Sequence, residues 1–108
     1  MRAGRLRHRV TIQQMTMTAA TWGAAETWST YKTCWAAIEP LRAREVEQAQ
    51  RFSSEVTATI VIRYDSGVTA AMRVSWEGRI FRIVGVVDPD YRHRELQLYV
   101  VEGSDDQS

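Results

Sequence analysis

The residues with nucleophilic or acid–base chemistry are few: one cysteine, Cys34, and two histidines, His8 and His93. A nucleophile needs a base within hydrogen-bond reach and a third group that orients the base. Cys34 lies in an apolar segment beside Trp35, where a thiol usually behaves as a small hydrophobic side chain. His8 belongs to an arginine-rich N-terminus, and His93 belongs to an arginine-rich turn. An enzyme that uses Cys34 and a histidine is therefore the least supported hypothesis.

The other patterns that could carry chemistry point the same way. One cysteine cannot form a disulfide within the chain, and with two distant histidines it does not make a zinc site. Asp88 and Asp90 flank Pro89 like a pair of catalytic carboxylates, but Asp-Pro-Asp is first of all a turn former. None of the common phosphate, dinucleotide or hydrolase signatures occurs. The sequence predicts no enzymatic activity, no cofactor and no metal site.

Length and composition indicate one globular domain. The chain has 108 residues, of which 44% are hydrophobic and 25% charged, with a net charge of +1. We assign residues 1–102 to a single domain with a basic N-terminal arm, and residues 103–108 to a flexible acidic tail. No apolar run reaches the about 20 residues that span a bilayer, and no signal peptide is expected.

Arginine dominates the basic residues, since the one lysine among the fourteen is Lys32. The planar guanidinium pairs bidentately with carboxylate or phosphate and tolerates desolvation better than an ammonium. Arginines balanced by acidic residues suit contacts with other proteins, whereas a dedicated nucleic-acid binder would be strongly basic. Arginine-rich codon usage in a GC-rich genome is the alternative explanation, and the composition leaves both open.

The charge pattern gives candidate interface residues. Their basic members are the arm residues Arg2, Arg5, Arg7 and Arg9 and the turn residues Arg92 and Arg94. The acidic members are Asp88, Asp90, Glu45, Glu47 and the acidic tail. Contacts of this kind govern association rate and register more than affinity, so the free subunit is expected to be a monomer or a weak oligomer.

Exposed aromatic side chains in a basic groove would instead indicate a single-strand binding barrel. Trp76 and Phe81 share their strand faces with aliphatic residues, which predicts packing in a core. Tyr99 and Trp28 are the aromatics left as possible surface anchors. The nucleic-acid interpretation therefore remains an alternative.

The elements that position these side chains are short strands. Apolar and polar residues alternate with the period of two that a half-buried strand requires. The predicted strands are Arg9–Met15, Tyr31–Glu39, Glu55–Tyr64, Met72–Trp76, Arg79–Val87 and Glu95–Val101. The short turns between the later strands leave no room for crossover helices, so we expect an all-β fold, an antiparallel barrel or sandwich of about six strands. Thr16 to Glu26 has neither period and is expected to be a loop.

Alternation also predicts which side chains fill the interior. The expected core is Val10, Ile12, Trp35, Val56, Ile60, Ile62, Val74, Trp76, Phe81, Ile83, Leu96 and Leu98. Thr59 is expected on the outside, where its truncation would matter little.

The segment Leu41–Phe52 departs from the strand pattern. It has no Gly, Pro or Thr, and its composition favours a helix with a thin apolar face. It is either a short amphipathic helix over one barrel mouth or a mobile arm that becomes ordered against a partner, and we expect the arm. The side chains then available to a channel or a neighbour are Arg42, Arg44, Glu45, Glu47, Gln48 and Arg51.

Several short blocks of the sequence, taken in order, resemble a known family over about residues 4–102. The matching blocks are Gly4–Gln13, Glu26–Trp28, Trp35–Leu41, Glu55–Thr57, Ile60–Tyr64, Met72–Val74, Gly78–Ile83, Pro89–Asp90 and Arg94–Leu98. The chain is similar to the head–tail joining proteins (head closure or stopper proteins) of long-tailed phages and gene transfer particles. It departs from their pattern at Thr18 to Ala25, which lacks the usual Asp and paired glycines of that loop.

The resemblance implies a structural connector in the virion, made in the host bacterial cytoplasm. Such a protein forms a ring with itself, with the portal's twelvefold symmetry. It lies between the portal-bound adaptor protein and the tail terminator or another tail protein, as in siphoviruses. It closes the channel around packaged DNA without sequence specificity and docks the tail, and no membrane is involved. A small SH3-like or OB-like binding module for nucleic acid or peptide is the alternative.

Overall fold

The computed structural model describes residues 6–20 and 23–103. Its strands are β1 (His8–Ala20), β2 (Gly23–Pro40), β3 (Ala58–Arg63), β4 (Arg73–Trp76), β5 (Arg79–Val87) and β6 (Glu95–Glu102). A 3-10 turn (Ala43–Glu45) leads into the helix α1 (Val46–Phe52), and a second 3-10 turn (Pro89–Tyr91) connects β5 to β6. No helix in the described ranges has the length and apolar character needed to cross a membrane.

The strands form one antiparallel sheet that closes on itself in the order β1-β2-β3-β6-β5-β4. Closure comes from β1, which pairs with β2 along its length and with β4 through Thr11, Ile12 and Gln13. The β4–β5 connection is a two-residue turn in which Glu77 and Gly78 both have positive φ, 51° and 79°. That conformation matches the twist of a tight hairpin. The expected all-β barrel of about six strands is confirmed.

The alternation of apolar and polar residues predicted most of the core side chains correctly. A single cluster fills the barrel and is made of Val10, Ile12, Ala36, Ile60, Ile62, Val68, Met72, Val74, Phe81, Ile83, Leu96, Leu98 and Val100. Trp76 is partly buried and packs against this cluster. Val56 is half-buried just before β3. The interior is therefore filled by side chains, as expected for a barrel of this strand number.

Three predicted side-chain placements are wrong, one because the inward face of β2 was misassigned and two because part of the outer wall is buried. Trp35, expected in the core, is 50% exposed on the outside of β2, since Cys34 and Ala36 take the inward positions. Tyr99, expected as a surface anchor, is 1% exposed because α1 covers it, with the Phe52 and Tyr99 rings 5.3 Å apart. Thr59, expected outside, is fully buried.

The expected loop Thr16 to Glu26 is also wrong, because β1 and β2 continue through most of it as a hairpin. Their register runs from Thr16↔Thr27 to Ala20↔Gly23, with only residues 21–22 between the strands. Met15 and Met17 are exposed here. The alternation is weak here because the ribbon lies outside the buried core cluster, so its backbone pairing does not require one apolar face.

The segment Leu41–Phe52 is a helical turn and a helix packed on the outside of β5 and β6. The short helix of the first alternative is present, but it lies on an outer wall and not over a barrel mouth, and ordering of the segment against a partner stays a prediction. Ala49 is buried, and the Phe52 ring lies over Gly85, where a Cβ would approach the ring to 2.5 Å. Two hydrogen bonds tie the segment to β6, from Gln97 Nε2 to Glu45 Oε2 (2.8 Å) and from Tyr99 OH to Gln48 Oε1 (3.4 Å). The helix docks because glycine at position 85 leaves room for an aromatic ring.

Removing a large core side chain should destabilise the barrel strongly. Ile62→Ala and Phe81→Ala are each expected to lower the free energy of unfolding by about 2–5 kcal/mol, because both side chains are enclosed by the core cluster. The measurement is denaturant unfolding followed by circular dichroism. Thr33→Ala, at an exposed position of β2, is the control, and an equal loss at Thr33 would show that the faces are assigned wrongly.

Adding one methyl group under α1 should undock the helix. Gly85→Ala is expected to speed amide exchange throughout Val46–Phe52, because the new Cβ occupies the space of the Phe52 ring. Exchange in β3 should not change. In a Phe52→Ala background, Gly85→Ala should have little further effect, and additive effects of the two substitutions would contradict the contact.

Candidate interaction surfaces

The two histidines and the cysteine each make packing or ion-pair contacts. The His8 ring packs on Trp76, with centroids 4.9 Å apart. His93 packs on Tyr64 and lies 2.7 Å from Asp88 Oδ2. Cys34 is half-buried against the core, and burial raises the pKa of its thiol, which disfavours the reactive thiolate. Within the described residues no group of three His, Cys, Asp or Glu could hold a metal ion.

The outer wall of β1, β2 and β3 carries a basic row centred on Trp35. Arg9 is the register partner of Trp35, and its guanidinium carbon lies 5.1 Å from the indole centroid. Arg63 ends β3 one step beyond the Ala36↔Ile62 pair, on the other side of the indole. A depression of about 250 Å³ lies here, lined by Arg9, Lys32, Thr33, Cys34, Trp35 and Arg63. We call it the Trp35 depression.

The chain that leads into β1 crosses the same wall. Leu6 is buried against Ala37 and Val61, the outward residues of β2 and β3. Arg7 is exposed beside this anchor. Arg2 and Arg5, the other predicted arm donors, lie outside the described residues. The anchor at Leu6 shows that the arm enters β1 from the wall that carries the Trp35 depression.

An ion-pair network fixes the base of the β1–β2 hairpin to the loop after β3. Asp65 Oδ2 lies 2.7 Å from Lys32 Nζ, and Asp65 Oδ1 accepts hydrogen bonds from Tyr31 OH (2.9 Å) and the Gly67 N–H (2.8 Å). A side chain at Gly67 would collide with the Tyr31 hydroxyl. Lys32, the Gly67 N–H and Tyr31 together lower the pKa of Asp65.

The hairpin is also fixed on its other face. The Arg73 guanidinium carbon stacks over Trp28 at 4.1 Å from the ring centroid, and Arg73 Nε donates to Gln13 Oε1 at 2.7 Å. Trp28, predicted as a possible surface anchor, is therefore half-buried under an arginine. Both contacts hold the ribbon in a fixed direction relative to the barrel.

The loop between β5 and β6 forms part of one barrel rim. Asp88 accepts the His93 backbone N–H and precedes the 3-10 turn, so the Asp-Pro-Asp sequence acts as the predicted turn former. Arg92 and Arg94 are exposed here, and Tyr91 is 87% exposed. The side chain of Asp90 lies outside what the structure describes.

The opposite rim carries the start of β1 and the end of β6. His8 contacts Trp76 at the end of β4, and Glu102 at the end of β6 accepts two hydrogen bonds from Arg79, at 2.8 and 2.9 Å. Arg7 thus lies at one rim and Arg92 and Arg94 at the other. The sequence grouped these arginines as one donor set, but the strand directions separate them.

The helical segment divides its charged residues between two sides. Glu45 and Gln48 face β6 through the hydrogen bonds given above and hold the helix in place. Arg42, Arg44, Glu47 and Arg51 are exposed. Four of the six side chains predicted for a channel or a neighbour are therefore available to a partner.

Sequence reasoning missed Trp35, Arg63 and Tyr91 as surface residues. The first two could have been found from the register between strands, because aligning β1 with β2 places Arg9 opposite Trp35. Tyr91 follows a Pro-Asp turn sequence, which predicts a loop tip but not an exposed aromatic ring.

The chain is similar to proteins of known family and structure. A model of the family described as phage head completion protein matches residues 1–103. The solution structure of protein SF1141 from Shigella flexneri 2a has 28% sequence identity and a TM-score of 0.75, with 98% of this chain and 100% of that chain covered. A chain from the virion of a native gene transfer agent particle has 22% identity and a TM-score of 0.63, with 89% and 93% covered, which shows a shared fold. No curated protein matches the chain.

The Asp65 network should make the hairpin base sensitive to acid. Because the pKa of Asp65 is lowered in the folded protein, its ion pair contributes stability above the unfolded pKa of about 3.9, and that stability is lost as the pH falls through the folded value. Asp65→Asn should flatten the fall in unfolding free energy below about pH 4. The measurement is urea unfolding at several pH values, with Glu47→Gln as the control. An unchanged pH slope would contradict the assignment.

Proposed function

Because the chain belongs to the phage head completion protein family, we propose that it is a ring subunit between the portal-bound adaptor and the tail. Its role is structural: it completes the head and is a component of the virion. In the proposed arrangement the ring follows the portal's twelvefold symmetry, closes the channel around packaged DNA and gives a tail protein its docking surface. The chain is made in the host bacterial cytoplasm before it joins the particle.

The family match over residues 1–103 is the observation that carries the proposal. The filled barrel agrees with it, because side chains occupy the interior and leave the outer walls and rims for function. His8 and His93 pack on aromatic rings, and Asp88 accepts a hydrogen bond within a turn.

A ring needs two different complementary faces on each subunit, because its contacts are head-to-tail. The barrel supports this requirement. The wall of β1, β2 and β3 carries Arg9, Trp35 and Arg63, whereas the wall of β5 and β6 carries α1 with Glu47 and Arg51 exposed. The two rims also differ, so the protein above and the protein below the ring would meet different chemistry.

The proposed contacts outside the ring use the rims. Arg7 of the arm belongs to one rim, and Tyr91, Arg92 and Arg94 belong to the other. We assign one set to the adaptor and the other to the tail protein. Charged contacts of this kind set orientation and association rate, and they weaken as salt increases.

Removal of the gene tests the proposed function directly. Heads made without the chain should package DNA, lose it on storage and fail to join tails. Addition of the purified protein should restore both nuclease-protected DNA and tailed particles, which electron microscopy counts. The Phe81→Ala variant serves as a poorly folded control. Heads that keep their DNA and join tails without the chain would overturn the proposal.

The alternative is an SH3-like or OB-like module that binds nucleic acid or peptide. The exposed Trp35 beside Arg9 is the observation that favours it, because single strands stack bases on such side chains. A dedicated nucleic-acid binder would lose affinity steeply with salt as counterions are released. A connector should bind free oligonucleotides weakly at every salt concentration, and fluorescence anisotropy distinguishes the two.

Reversal of the arm charges should separate folding from joining. The double variant Arg5→Glu/Arg7→Glu is expected to melt like the wild type, because Arg7 is exposed and its neighbour Leu6 provides the buried anchor. The variant should fail to join heads that carry the adaptor. Complementation of deficient heads measures this, with Arg5→Lys/Arg7→Lys as the control. Tailed, DNA-filled particles at wild-type yield would show that the arm is no interface.

A further inference from the structure

The Trp35 depression has the chemistry of a carboxylate site. Arg9, Lys32 and Arg63 supply three cations, and no acidic side chain is among its lining residues. Lys32 is partly neutralised by Asp65, which leaves the two arginines that flank the indole as the stronger donors. Guanidinium groups bind carboxylates in a bidentate fork, and an indole face shields such pairs from water.

The shape of the depression favours a short acidic segment over duplex DNA. A volume of about 250 Å³ accommodates one or two side chains. Duplex DNA needs an extended basic stripe that follows successive phosphates. The row instead ends beyond Arg63, whose partner on β6 is Glu95.

The sequence supplies such a segment two residues beyond the last one that the structure describes. Asp105 and Asp106 are adjacent and follow Gly103 and Ser104. The point from which this segment leaves the barrel is fixed, because Glu102 is bound to Arg79 and the Gly103 N–H donates to the Ile80 carbonyl at 2.8 Å. The tail therefore begins at the end of β6, beside the start of β5.

This starting point lies far from the Trp35 depression along the strands. Arg63 of the depression pairs with Glu95 at the first residue of β6, whereas the tail follows Glu102 at the last residue of the same strand. Asp106 is three residues past Gly103 and reaches about 10 Å. The seven steps from Glu95 to Glu102 span about 23 Å of strand, so the tail does not reach the depression of its own subunit.

We infer that the acidic tail of one copy, through Asp105 and Asp106, binds the Trp35 depression of the next copy. The inference rests on the proposed ring and names the contact that joins its subunits. The tail at the end of β6 and the depression beside the end of β3 are two different surfaces of the subunit, as the head-to-tail contacts of a ring require. The buried Leu6 anchor lies on the acceptor wall, so the basic arm would flank the bound tail.

Charge exchange between the two surfaces tests the inference. Asp105→Arg/Asp106→Arg and Arg9→Asp/Arg63→Asp should each reduce completion of deficient heads about tenfold, which corresponds to about 1.4 kcal/mol per contact. The combined four-residue variant should recover most of the yield. Melting curves confirm that each variant folds. The matched control combines the tail reversal with Arg92→Asp/Arg94→Asp at the rim and should not recover.

The outcomes separate this inference from the proposed function. If the wild-type protein completes heads but the combined variant does no better than the single reversals, the tail contact is wrong and the connector role stands. If the wild-type protein does not complete heads, the connector role itself fails. Full activity of either reversal alone would also overturn the tail contact.

The one lysine of the chain gives a second measurement. Lys32 lines the depression, so a carbodiimide should couple its amine to Asp105 or Asp106 of a neighbour in completed heads. Mixed copies with light and heavy isotopes identify products between subunits by mass spectrometry. Coupling of Lys32 to Asp65 alone, at 2.7 Å in the same subunit, would contradict the inference.

Duplex DNA as the true occupant would give a different result. The purified protein would then bind duplex with a steep salt dependence, Arg9→Asp/Arg63→Asp would abolish binding, and the tail reversal would increase it. That pattern would overturn the inference. We expect weak duplex binding that the arginine reversals change less than twofold.

Discussion

Closure of the sheet through the pairing of β1 with β4 is the constraint on which the rest of the molecule depends. Only three residue pairs join the two strands, yet they convert an open meander into a barrel without edges in its closed part. Once the barrel closes, inward side chains from all six strands share one cluster, and every outward side chain has a fixed place on a wall. The register of Ile12 against Val74 therefore decides both the core and the surfaces.

The same closure explains why the two ends of the chain have different surroundings. The chain enters β1 across the wall of β2 and β3, where Leu6 is buried, and leaves β6 beside Arg79 on β5. Leu6 and Glu102 thus have different surroundings, and no hinge is needed to present them to different neighbours.

Local packing determines two features of the surface that amino-acid composition does not predict, the docking of α1 and the attachment of the hairpin base. Gly85 admits the Phe52 ring, which turns a segment with a thin apolar face into a docked helix and buries Tyr99. Asp65 binds Lys32 and Tyr31, which fixes the base of the hairpin to the loop after β3. Both features join residues more than thirty positions apart, so neither has a signature within one strand.

The sequence by itself determined the strands around the core, their turns and most of the inward side chains, since a period of two and a turn sequence such as Glu77-Gly78 act within a few residues. It also carried the resemblance to the head completion family through the order of its blocks. It did not determine the β1–β2 hairpin, the exposure of Trp35 or the burial of Tyr99. The tertiary structure decided these, because they depend on which strands become neighbours, on the register between them and on what covers the outer wall, and none of these is encoded in local periodicity.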